Sequence, residues 1–470
     1  MFRALFAKEI LEALAGRRFW VILALCLVLI PLGVEVSLKD YQTRFHNYQE
    51  AVRIYQGQTK TVFDVLYNGG KAFAPPSPLS FLSHGLELVL PNIAETQANY
   101  MQPPAVMRFG NNQGRDNLYE FLYGPFDLIF IIGVVMSFLA VIMTYGAIAG
   151  EKEQGALRQI LSNSVPRAKI ILAKATANGV VLIIPFLLAL VLSLVILEVQ
   201  GSSSLFVGGA WILIAVAVLV AALLIGAFFN LGLLVSALTK QAVPALVTLL
   251  LAWVFLYGVY PRLAAAAAQV IYPVKSEARV ALERNQIRRN IEKERDAEIN
   301  LVAKTMPSDE KSEAYQEGQK RQLDIHNKYK SELETSWQNL DREIEERHKT
   351  GIALTADIAR LSPVSCFIRP LAELGRTGWL EYQQFSTQVR QYLDALNRDI
   401  FNKQVETRMQ GGSDAASVAY QSAAAPAFEY VRAPVEVVIR NVLPDIFILT
   451  LFNLVFFTGA FISFIRYDPR

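Results

Sequence analysis

Apolar residues along this chain gather into long, nearly unbroken blocks, not into the alternating or short-period patterns of a water-soluble domain. Phe19 to Val36, Phe126 to Ala149, Ala175 to Leu197, Gly209 to Ala237, Ala242 to Tyr260 and Leu443 to Ile465 are such blocks. Each approaches or exceeds the ~20 apolar residues that a helix needs to cross a bilayer core. Elsewhere the apolar spacing is that of a helix with one greasy edge. Leu333, Trp337, Leu340 and Ile344 form a narrow stripe, and Val280, Ile287 and Ile291 a weaker one. Between them, Met306-Pro307-Ser308-Asp309-Glu310 reads as a helix stop and a fresh N-cap at Ser308, with acids in the next turn. The pattern predicts an antiparallel helical hairpin over about 276–350, its arms on the order of 45–60 Å long. At the start, Phe2, Leu5, Phe6, Ile10 and Leu14 share one helical face, which predicts an amphipathic helix along a membrane surface.

Composition agrees with this segregation. The chain is 53% hydrophobic yet 19% charged, and the charges crowd outside the apolar blocks: 281–350 holds 30 Asp, Glu, Lys and Arg in 70 residues. That density excludes a conventional core there and favours long solvated helices. Arg17 and Arg18 precede the first block as they would in a signal peptide. Glu35, Leu38 and Lys39 stand where a cleavage site would be, so the block reads as a retained span. Basic residues near the span ends orient the chain. Arg3, Lys8, Arg17 and Arg18, the Lys152–Lys174 stretch, Lys240, and Arg466 with Arg470 all fall on one side after an even number of crossings. Both termini are therefore expected in the cytoplasm.

The expected organisation is an amphipathic helix (1–18), spans at 19–36, 126–149, 175–197, 209–237, 242–260 and 443–465, and a cytoplasmic segment (150–169). Two extracytoplasmic segments, 37–125 and 261–442, complete it. Leu79 to Leu90 is expected either to pack on the second outer segment or to lie at the lipid surface. Gly411 to Pro426 reads as loop.

Candidate chemistry narrows the function mainly by exclusion. No Gly-x4-Gly-Lys-Ser/Thr, His-Glu-x-x-His, Cys-x-x-Cys or Gly-x-Ser-x-Gly occurs. The histidines, His46, His84, His326 and His348, are isolated and read as surface residues. Cys26 and Cys366 lie too far apart in topology to pair. Asp127 and Asp445 fall near span ends, where hydration is cheap, while Asn178 and Asn230 lie deeper and read as interhelical hydrogen-bonders. A net charge of +3 carries no indication of nucleic acid. What remains is 150–169, a short charged segment between two spans. A helix of about ten residues is expected there, with Leu157, Ile160 and Leu161 against the bundle and Glu153, Gln154 and Arg158 facing a soluble partner.

Tyr145-Gly146-Ala147-Ile148-Ala149-Gly150-Glu151-Lys152-Glu153-Gln154-Gly155-Ala156-Leu157-Arg158, followed by Leu161-Ser162-Asn163-Ser164-Val165-Pro166-Arg167 and Leu172-Ala173-Lys174, closely resembles the coupling segment of ABC-2 type transporter permeases. Leu5 to Arg18 is similar to that family's elbow helix, and Leu234-Val235-Ser236-Ala237-Leu238-Thr239-Lys240 to the end of its fourth span. Gly146 stands where many relatives carry an acid. The closing Phe464-Ile465-Arg466-Tyr467-Asp468-Pro469-Arg470 resembles a subgroup with an enlarged outer domain, similar to permeases annotated for multi-copper enzyme maturation.

The resemblance implies an all-α membrane protein with six transmembrane helices, ABC-2 / type V exporter-like, and a mainly helical extracytoplasmic domain. It implies Glu151, Lys152, Glu153, Gly155, Leu157, Arg158, Leu161 and Arg167 as the residues coupling to an ABC ATPase subunit. ATP and Mg would be bound by that ATPase, with no cofactor held directly. The expected partners are the ATPase, a second permease subunit (identical or related), membrane lipid and an extracytoplasmic protein at the hairpin, with no nucleic acid. The expected setting is the bacterial cytoplasmic (inner) membrane and the expected work is export. The alternative is a mechanotransmitting or anchoring protein that acts on an extracytoplasmic partner without moving a solute.

Overall fold

The computed structural model describes residues 2–61, 64–65, 70–87, 89–96, 107–109, 124–162, 166–201, 208–273, 275–307, 312–409 and 427–467. The expected N-cap at Ser308 and the expected loop at 411–426 lie outside these residues. Helix α1 (Phe2–Ala15) leads to α2 (Arg17–Gln58), a 42-residue helix that keeps Pro31 in its interior. Leu128–Phe130, the π-helical turn Ile131–Met136 and Ser137–Thr144 run on as α3. Two short helices follow, α4 (Ala149–Glu153) and α5 (Ala156–Ser162). Then come α6 (Arg167–Val199), α7 (Ala210–Leu238) and α8 (Ala242–Ile271), the last with a π-helical turn at Phe255–Val259. Helices α9 (Glu277–Thr305), α10 (Glu313–Ala359), α11 (Ser365–Leu374), α12 (Trp379–Met409) and α13 (Val435–Ile465) complete the order.

Among the described residues, six helices are long and apolar enough to cross a membrane: α2, α3 with α4 as one stretch, α6, α7, α8 and α13. Every apolar block read from the sequence overlaps one of them, with only Phe126, Asp127 and Gly209 falling before the helix. A helix satisfies its own backbone in lipid, which is why such blocks fold this way. Helix α7 is strongly apolar and much of it is enclosed: Leu224, Ile225, Ala227, Phe228 and Leu233 are fully buried. It packs chiefly on α13 and α3, while α6 packs on α2 and α1. Small residues permit the close approach. A side chain at Gly232 would collide with Thr144, and one at Gly226 with Asn453. Asn230 donates to Asn453 Oδ1 at 3.0 Å, bridging α7 and α13 as expected. Asn178 differs, donating to Lys174 O of its own helix.

The chain divides into two compact units, 1–261 with 360–470, and 262–359. In the first, the stretch 75–87 packs on residues after α10. Leu79, Phe81 and Leu82 are buried in one core with Leu371 and Leu374. Ser77 Oγ donates to Gly375 O at 2.7 Å, and Arg432 donates to the carbonyls of Pro75 and Pro76. A three-stranded antiparallel sheet, β1 (Lys71–Phe73), β2 (Ile93–Thr96) and β3 (Met107–Phe109), also lies here. It was not legible from the sequence, because strands this short carry no sustained alternation.

Charges at this end correct two expectations. Asp127 and Asp445 are buried, not hydrated. Asp445 pairs with Arg360 at 3.0 Å and with Arg369. Asp127 caps α3 by accepting from Phe130 N, and its other oxygen accepts from His84 N at 3.2 Å. His84 is 1% exposed, so it is no surface residue. Its Nε2 lies 3.1 Å from Asp40, while Nδ1 stands 3.7 Å from Asp127, beyond hydrogen-bond reach but within Coulomb range. Burial alone would push the imidazole down; the Asp127 and Asp40 carboxylates outweigh it and hold the pKa up at about 9.

In the second unit, α9 and α10 form the expected antiparallel hairpin. Arg284 pairs with Asp341, and Lys328 with Glu298 at 3.3 Å, a register in which one helix runs against the other. Leu340 is buried on the expected stripe, and Ile325 and Tyr329 extend it beyond the positions read from the sequence.

Candidate functional site

The segment between α3 and α6 is a broken helix held by its neighbours, and the break starts at a hydroxyl from another element. Helix α3 stops at Thr144, and the chain turns through Tyr145–Ile148. Ser236 of α7, fully buried, inserts its Oγ into that turn. It accepts from Ile148 N at 3.0 Å and Ala149 N at 2.9 Å, and donates to Tyr145 O at 2.9 Å. Amides at a helix start have no partner within the helix, so one external hydroxyl here satisfies two of them.

A second break follows at Gly155, whose φ of +75° is open to glycine and unfavourable for other residues. The expected single helix of about ten residues is therefore two, α4 and α5, hinged at Gly155. The apolar face is as expected: Leu157 is fully buried, with Ile160 and Leu161 packed against the same core. Gln154, Arg158 and Gln159 are exposed.

The remaining site residues do not all face outward. Lys152 donates to Thr239 O at 2.9 Å and to Ala237 O, closing the C-terminus of α7, and its ammonium sits 4.7 Å from the centre of the Tyr467 ring. Arg167 does the same for α13, donating to Ile465 O and Tyr467 O at 2.8 Å each. Glu153 accepts from Ala242 N at 3.0 Å, at the first turn of α8. Cations at helix C-termini and an acid at a helix N-terminus each match the sign of the helix dipole. Glu153 is exposed, and its carboxylate also ties α4 to the start of α8.

Glu151 points the other way. It meets Lys174 of α6, which also reaches Glu9 of α1 at 2.9 Å. Lys174 is 3% exposed and Glu9 only 9%. One ammonium thus holds two carboxylates, and Glu151 Oε2 is buried with no hydrogen-bond partner among the described residues. The face of α1 that meets the bundle carries Glu9 together with Ile10 and Ala13, while Phe2, Leu11 and Leu14 remain exposed. Sequence reasoning gave no role to Glu9, because an acid does not count toward an apolar stripe. It also gave no role to Ser236 or Lys174. A basic residue at the first turns of an otherwise apolar helix was the available signal for Lys174.

Helices α6, α7 and α8 thus each contact α4, and α13 contacts Arg167, through the hydrogen bonds and ion pairs above. No curated protein matches this sequence. Residues 3–330, which include the site and all spans but the last, match a family described as ABC-2 family transporter protein. Members are multi-pass membrane permease components of ABC transporters, generally not themselves catalytic, which partner an ABC ATPase and are usually dimeric. The chain belongs to the ABC-2 transporter family.

Proposed function

We propose that this permease couples ATP hydrolysis by a separate ATPase subunit to export, with α4–Gly155–α5 as the coupling element. The observation that carries the reading is the two-sidedness of α5: Leu157 is fully buried while Arg158, one residue on, is exposed. The exposed side is free to enter a groove on the ATPase. Glu151, Lys152, Glu153 and Arg167 connect the element to the spans, and Leu157 and Leu161 seat it. ATP and Mg stay with the ATPase. The permease acts as a dimer with a second identical or related subunit, in a bacterial cytoplasmic membrane with both termini inside. ATP binding shifts the element, and the spans respond to the extent that the two states bind the ATPase differently.

The test is co-purification with a co-expressed ABC ATPase. Arg158→Glu is expected to abolish association while Arg466→Glu, outside the element, leaves it unchanged. Equal recovery of the ATPase by both variants would remove the coupling role.

One observation favours a second reading. Helices of 29 and 47 residues form a long charged hairpin that is no part of the candidate spans. In that reading the hairpin carries the ATP-driven change to an extracytoplasmic protein, and no solute moves. Deleting 276–350 separates the two: export persisting without the hairpin makes it an adaptor. Loss of ATPase stimulation by an outer protein, with no solute found, favours mechanotransmission.

A further inference from the structure

An open groove of about 560 Å³ lies between the C-terminal ends of α7 and α13. Leu234, Leu238 and Ile462 give it apolar walls, and Lys152, Lys240 and Arg466 bring cations to it. Helix C-termini are ordinarily negative and would offset such cations. Here both ends are already neutralised. Lys152 is consumed by the carbonyls of Ala237 and Thr239 at the end of α7, and Arg167 by those of Ile465 and Tyr467 at the end of α13. Lys240 and Arg466 are therefore surplus positive charge. Both are exposed, and among the described residues neither side chain forms a hydrogen bond or ion pair.

The two helices are also membrane spans, so the groove opens where their apolar length ends. A ligand suited to it has an anionic head for Lys240 and Arg466 and hydrocarbon for Leu234, Leu238 and Ile462. We propose that this groove is a binding site for an anionic phospholipid, its phosphate between Lys240 and Arg466 and its acyl chains along α7 and α13. Basic pockets between spanning helices hold lipid headgroups on the same physical terms. The site abuts Lys152 and Tyr467, so an occupied groove braces the end of α7 from which Ser236 holds the coupling turn. Its existence does not depend on the coupling role.

The test uses the full-length protein in detergent, titrated with phosphatidylglycerol or with phosphatidylcholine of the same chains and read by native mass spectrometry. Phosphatidylglycerol adducts are expected to survive at activation energies that strip phosphatidylcholine. The double variant Lys240→Gln, Arg466→Gln is expected to lower apparent phosphatidylglycerol affinity at least tenfold, with its lipid-free melting temperature unchanged. Should the double variant melt lower, the single variants, compared at matched stability, carry the same expectation. Undiminished phosphatidylglycerol binding by the variants overturns the proposal, as does equal retention of phosphatidylcholine. So does inorganic phosphate binding as tightly as the lipid, which would make this a soluble-anion site. A Lys240→Cys thiol that becomes unreactive to maleimide only as lipid-free protein is concentrated would make the groove a contact between copies, and overturns it too.

Discussion

Lys174 Nζ lies 2.9 Å from Glu9 Oε1, joining the third spanning helix to the N-terminal helix across 165 residues of sequence, with both groups buried. The same ammonium holds Glu151, so a single cation fixes α1, α4 and α6 to one another. Removing it leaves two carboxylates facing each other away from water. Lys174→Met is expected to destabilise the protein by about 3–5 kcal/mol, the usual result of stripping one partner from a buried ion pair. The triple variant with Glu9→Gln and Glu151→Gln is expected to recover much of that. Thermal unfolding in detergent measures both; a triple variant no more stable than the single one contradicts the account.

Ser236 holds two amides of the turn before α4. In Ser236→Ala those donors lose their acceptor in a buried place, an expected loss of about 2 kcal/mol. If the element couples, the ATPase stays bound while its hydrolysis no longer responds to the permease. An unaltered melting temperature would show that water replaces the hydroxyl without penalty.

Gly155 has open space around it, so a methyl there meets no neighbour. Only the backbone objects. Gly155→Ala is expected to cost about 1–2 kcal/mol through its left-handed φ, and Gly155→Asn less, since Asn tolerates that region. Measured stabilities in the order Gly, Asn, Ala fit a conformational cause. The reverse order points to a contact instead.

His84 gives a pH dependence of definite sign. Its folded pKa is raised, to about 9 from 6.5, so the protonated form is the one the fold prefers. The stabilisation is complete below about pH 6.5 and disappears as the pH climbs through about 9. The groups facing it are Asp40 and Arg44 of α2 and Asp127 before α3. His84→Gln is expected to flatten the melting-temperature profile between those pH values. A profile identical to wild type would place the titrating group elsewhere.

The spans were legible because membrane insertion needs only local length and apolarity, which the blocks at Ala175–Leu197 and Gly209–Ala237 carry in full. The hairpin was legible because its stripe repeats over several turns. What escaped reading depends on partners distant in sequence. His84 looked solitary until Asp40 and Asp127 flanked it; Glu9 carried no sign of a partner until Lys174 reached it from α6. Within 150–169 the buried face of α5 followed from periodicity, whereas the break at Gly155 and the attachment of Lys152 to α7 and of Glu153 to α8 depend on where those helices begin and end. Short strands such as Lys71–Phe73 carry too few residues for a pattern of their own.

Helix α2 runs on well past its apolar block without interruption, and Pro31 sits inside its membrane portion. Proline removes one rung of the backbone ladder and supplies a natural bending point. The stretch beyond it, to Gln58, is roughly 40 Å long at helical rise. A change of about ten degrees at Pro31 would therefore swing the far tip by roughly 7 Å, which makes this single proline the place where a small bend has its largest geometric effect.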